Sequence, residues 1–104
     1  MHKNIFLGLF LLSFKLSAAE VSPAVITYIA PWEPHIDIRT SAAFNNSQTC
    51  GAATFYRIDL QNDPGAQAKL SVILAAFMAG KPVGLSILGC VGDAPKISGI
   101  RLYK

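Results

Sequence analysis

The chain has 104 residues, 52% of them hydrophobic, with nine Lys and Arg against six Asp and Glu, a formal net charge of +3, and two cysteines. That length allows one small domain and little more. Lys3 and Lys15 lie in an apolar N-terminal stretch, so the rest carries seven basic against six acidic residues, a net of +1, with the basic ones scattered singly; this argues against the basic surface that nucleic-acid binding needs.

In chain order, His2 and Lys3 lead an apolar run, Ile5 to Leu16, broken once by Lys15, and Ser17-Ala18-Ala19 offers small residues for cleavage. The pattern predicts a secretory signal over residues 1–19 and a mature domain over 20–104, secreted or periplasmic. The run is too short for a permanent span, and no later stretch is longer, so no membrane span is expected after cleavage.

From Ala24, AVITYIAPW alternates Val25, Thr27 and Ile29 against Ile26 and Tyr28, the pattern of a first strand. Pro31 and Pro34 bracket Trp32-Glu33 and predict a turn or bulge there. HIDIRTS resumes as a second strand, with Ile36 and Ile38 toward a core and His35, Asp37 and Arg39 toward solvent. Asn45, Asn46 and Ser47 mark residues 42–49 as a loop. ATFYRIDL reads as strand three: Tyr56, Ile58 and Leu60 share one face, and Phe55, Arg57 and Asp59 share the other, where the two opposite charges can interact along the strand.

One helix is expected over Asp63–Gly80, capped by Asp63, with Pro64 in its first turn and a left-handed stop at Gly80. Leu70, Ile73, Leu74 and Phe77 form a large apolar stripe for the core. Val72, Ala75, Ala76 and Ala79 form a second, small apolar surface, expected to meet a neighbouring subunit in a homo-oligomer unless loop 42–49 or the N-terminus covers it. VGLSIL is strand four, Gly89 to Asp93 a tight loop, and residues 96–104 strand five. Cys50 and Cys90, an even pair in an exported chain, are expected to form a disulfide worth roughly 4 kcal/mol in the chain-entropy model.

The order β-β-β-α-β-β describes a mainly β domain with one helix and fits a five-stranded OB-type Greek-key barrel. A sandwich needs more strands, and a ferredoxin-like fold needs a second helix.

The export signal, the cysteine ahead of FYRIDL, the helix KLSVILAAFMAGKPV, and the closing cysteine followed by ISGIRLY together resemble small secreted bacterial proteins of the AB5-toxin B-subunit kind, pertussis and subtilase type. The resemblance covers most of residues 50–104 and residues 24–41 more weakly. The resemblance implies an OB fold, a pentameric ring, a glycan ligand and a separate catalytic subunit. No glycan-contacting residue of that family maps onto a position here.

The residues themselves argue against an enzyme. His35 is the only histidine beyond the signal, and no carboxylate pair or His/Cys cluster has catalytic or metal-ligand spacing, so neither metal nor cofactor is expected. Asp37 could orient His35, although two solvated side chains explain the pattern equally. GDAPKISG opens no helix and so makes no phosphate cradle. Trp32, held between prolines, either presents its ring to a sugar or closes one end of the barrel. With Asp37 and Arg39 as polar neighbours it forms the candidate ligand-binding set. The leading function is a secreted, non-catalytic glycan-binding subunit of a toxin-like oligomer. The alternative is a monomeric exported OB-fold domain binding a protein or peptide, and a single-strand nucleic-acid binder is a distant third for want of positive charge.

Overall fold

A computed structural model describes residues 17–51 and 54–104. All but the last three residues of the expected signal peptide lie outside the described residues.

Among the described residues, five strands and one helix follow in the expected order: β1 (Ala19–Pro31), β2 (His35–Thr40), β3 (Tyr56–Asp59), α1 (Ala66–Ala79), β4 (Pro82–Val91) and β5 (Ala94–Leu102). They close into a barrel ordered β1-β2-β3-β5-β4, with β3 and β5 parallel and every other pair antiparallel. This is the OB-type arrangement.

Closure depends on β1, which is longer than the run from Ala24. Its first half pairs with β4, from Ala19↔Ile87 to Val25↔Pro82, and its second half with β2, from Ile26↔Thr40 to Pro31↔Ile36. Register shifts at Val21/Ala24 and Ile26/Tyr28 bend it between the two partners. Pro23, which has no N–H to give a ladder, lies within the first shift. Strand four also runs further than VGLSIL. Cys90 and Val91 pair with Pro95 and Ala94, so the expected loop at Gly89 to Asp93 shrinks to a two-residue hairpin at Gly92-Asp93, where Gly92 has φ +63°.

The interior is filled by Val21 and Ile26 of β1, Ile36 and Ile38 of β2, Tyr56 and Ile58 of β3, Val83, Leu85 and Ile87 of β4 and Ile97 of β5. Alternating strand residues supply most of this core, as the period-two pattern requires. Cys50 and Cys90 are joined, Cα to Cα 5.6 Å. Beside the bridge, buried Gln48 accepts from Gly89 N–H at 2.8 Å and donates to the Ser17 carbonyl at 2.9 Å, which ties loop 42–49 to β4.

The helix differs from expectation in two ways. It starts at Ala66: Asp63 bonds the Gly65 N–H at 2.8 Å in a turn ahead of the helix, and no side chain caps the first turn. Its end agrees, with Gly80 at φ +66° and Lys81 N–H returning to the Ala76 carbonyl at 3.0 Å. The buried stripe is Ala66, Ile73 and Ala76, while Leu74 and Phe77 stay 44% and 43% exposed. Ala76, expected at a subunit interface, therefore faces the barrel at 1% exposure. The physical reason is close approach: two alanines flanking Ile73 let the helix backbone settle on the barrel, and the bulkier side chains fall to the flank.

Candidate functional site

The turn between β1 and β2 forms part of one rim of the barrel. Trp32 N–H donates to the His35 carbonyl at 2.8 Å, and the Pro34 carbonyl accepts from Leu60 N–H at 3.0 Å. Two prolines and two backbone hydrogen bonds thus hold the turn, and Trp32 stands 58% exposed on it rather than closing the barrel.

Leu60 follows Asp59, and Asp59 opens the wall of a cleft of about 220 Å³ between the loop ahead of α1 and the start of β5. Asn62, Asp63, Lys69, Lys96 and Ser98 supply its other polar groups. The Asp59 carboxylate accepts from the Asn62 side-chain amide at 3.1 Å and from the Gln61 and Asn62 N–H groups at 3.0 and 3.2 Å. The Asn62 side-chain bond leads in holding the Asp59 carboxyl below its ordinary pKa, helped by those N–H groups and the Lys96 charge against a contribution from burial. Burial would also raise Asp63, but the Lys69 ammonium at 2.5 Å and the Gly65 N–H outweigh it, so Asp63 too is lowered. Both acids are therefore engaged within the protein. Lys96 forms no ion pair, and Ser98 no side-chain hydrogen bond, among the described residues, which leaves these two groups able to meet a ligand.

The expected trio of Trp32, Asp37 and Arg39 is not brought together. Asp37, expected in solvent, is 4% exposed: its register partner Arg57 donates to it at 2.5 Å, and His35 Nε2 lies 3.6 Å away. Arg57 also donates to the Val91 carbonyl at 3.0 Å and to Asp93 at 2.9 Å, so the β4–β5 hairpin lies beside the pair. The Asp37 hydrogen bond leads in raising the Arg57 pKa above its ordinary value, helped by the charges of Asp37 and Asp93 against burial. The expected pairing of Arg57 with Asp59 along β3 gives way to these partners on other strands.

Arg39 stands opposite Tyr28 in the β1–β2 register, well back along the strands from Trp32. Its guanidinium carbon lies 4.8 Å from the Tyr28 ring centroid and 4.4 Å from that of Phe55. The alternation puts Tyr28 on the face of Ile26, which is buried; the register shift between the two turns Tyr28 outward, so the sequence hints at this stack only through Arg39 and Phe55. On the helix, Ala75 and Ala79 are exposed and Val72 half-buried, beside exposed Leu74, Phe77 and Met78. Among the described residues no group of three metal-ligating side chains is assembled, and no helix is long and apolar enough to cross a membrane.

No protein-family model and no curated protein matches the chain. Among solved structures it is similar to the cholera toxin-like B subunit from Citrobacter freundii, with a TM-score of 0.58 and 14% identity, covering 92% of each chain. At that identity the likeness is one of fold, and in fold the chain resembles the B subunits of AB5 toxins.

Proposed function

We propose that this chain is the exported, non-catalytic binding subunit of a toxin-like oligomer, and that it takes a cell-surface glycan at the rim where the Trp32 turn adjoins the cleft. The observation that carries the reading is the likeness in fold to a toxin B subunit over 92% of both chains. The Cys50–Cys90 bridge fits export, with removal of residues 1–19 as the processing step. Saccharides offer C–H faces that stack on an exposed indole and hydroxyls that pair with ammonium, amide and hydroxyl groups such as Lys96, Asn62 and Ser98. The apolar outer helix face, with Val72, Ala75 and Ala79 beside Leu74, Phe77 and Met78, supports contact between copies, and the assembly proposed is a pentameric ring that accompanies a separate catalytic subunit. Weak sites repeated around a ring would gain by avidity.

A glycan array probed with wild type, Trp32→Ala and Lys96→Ala tests the ligand, and sedimentation of wild type and Ala75→Glu tests the assembly. Wild type is expected to bind a defined glycan set that both site variants lose. It is also expected to sediment as an oligomer that Ala75→Glu converts to a folded species of lower mass. No glycan binding by wild type, or equal binding by both site variants, would remove the ligand, and a wild-type monomer at micromolar concentration would remove the ring.

A further inference from the structure

The outer face of β1, β2 and β3 carries a second feature, separate from the rim and cleft. Tyr28 and Arg39 are opposed in register, and Phe55 lies just ahead of β3 with its ring centroid 5.6 Å from that of Tyr28. Arg39 packs against both rings, yet makes no hydrogen bond or ion pair through its guanidinium among the described residues. The other two arginines of the chain behave differently: Arg57 is shared between Asp37 and Asp93, and Arg101 meets Glu20. We infer that the patch of Tyr28, Arg39 and Phe55 is a docking surface for a protein segment that presents an Asp or Glu carboxylate next to an apolar side chain.

Charge complementarity selects that occupant. A guanidinium held on aromatic faces has lost part of its rotamer freedom before any partner arrives, and its N–H fork matches a planar carboxylate in two parallel hydrogen bonds. Tyr28, 38% exposed, offers apolar area beside it. Arginine and tyrosine are among the residue types that carry most of the binding energy in protein interfaces, whereas small saccharides favour concave sites such as the cleft.

The test is selection of a random heptapeptide phage library on the immobilised exported protein, followed by titration of the best synthetic peptide. The selected peptides should hold Asp or Glu beside an apolar residue. Affinity should fall about ten-fold or more for Arg39→Gln, and equally when the peptide acid is replaced by its amide. Arg39→Lys, which keeps the charge but not the fork, should fall between, and Trp32→Ala should bind as wild type does, separating this surface from the glycan site. Thermal melts confirm that each variant is folded. Peptides without an acid, or equal affinity for Arg39→Gln, would overturn the assignment. So would an Arg39-dependent signal from carboxylated or sulfated saccharides with none from peptides.

Discussion

Arg39 and Arg57 lie on neighbouring strands of one sheet, both directed away from the core, and the fold uses them in opposite ways. The Arg57 side chain is 15% exposed and divides its donors among Asp37, Asp93 and the Val91 carbonyl. Arg39 rests on two rings and engages no acid among the described residues. Strand position is the same for both; what differs is the chain that arrives from elsewhere. The β4–β5 hairpin reaches Arg57, and the disulfide holds the same hairpin to the loop ahead of β3. An identical side chain becomes a structural clamp where a distant segment brings it acids and an available cation where none among the described residues does.

The largest effect should come from breaking the clamp. Arg57→Leu leaves the Asp37 carboxylate buried without its partner, and the cost should be about 3–5 kcal/mol in urea or thermal unfolding. Adding Asp37→Asn should recover a measurable part of it, because the stranded charge rather than the lost contact carries most of the penalty. An Arg57→Leu loss below about 1 kcal/mol would show that solvent reaches Asp37 and that the two arginines differ little.

A smaller effect falls on acid stability. Asp63 is held below its ordinary value near 3.8, so its contribution is complete above that value and is lost as pH falls through the lowered folded-state value. Lys69→Met removes the leading cause of the lowering and should flatten the decline of the urea midpoint between about pH 5 and pH 2, while leaving the Arg57 network intact. A decline as steep as wild type would place the acid response elsewhere. The smallest effect is expected at Arg39. Arg39→Gln forfeits two ring contacts at an exposed position and should cost about 0.5–1 kcal/mol, read as a slight drop in Tm. A loss as large as that of Arg57→Leu would make Arg39 a clamp as well and end the contrast.

Much of the fold was legible because its signals are local. Ile36, Ile38, Tyr56, Ile58, Val83, Leu85 and Ile87 alternate with a period of two and all reach the core. Gly80 announced the end of the helix, since the left-handed conformation there carries no side-chain penalty in glycine. The helix starts later than the sequence predicts: Asp63 has the right chemistry for a cap, but its carboxylate turns to Gly65 and Lys69 before the helix begins. The facing of the helix was also missed. α1 is apolar around most of its circumference, so periodicity alone could not choose between the stripe of Leu74 and Phe77 and that of Ala66, Ile73 and Ala76. The site was the least legible part: Asp37 has the alternation of a solvated residue, and nothing near it in sequence discloses the Arg57 side chain that covers it. The cleft joins residues 59–63 to Lys96 and Ser98, which only the parallel pairing of β3 with β5 brings side by side.

By itself, then, the sequence determined the strand segments, the helix between the third and fourth strands and its end, the pairing of Cys50 with Cys90 and the order β-β-β-α-β-β, all written in short-range periodicity, turn chemistry and an even cysteine count. The tertiary structure decided which side of the helix meets the barrel, how far β1 runs before it changes partner, which acids Arg57 finds, and that the Trp32 turn bonds to Leu60 while Asp37 is buried against Arg57 and Arg39 lies on Tyr28 and Phe55. Those outcomes depend on Coulomb and packing interactions between residues far apart in the chain, and their partners exist only once the barrel has closed.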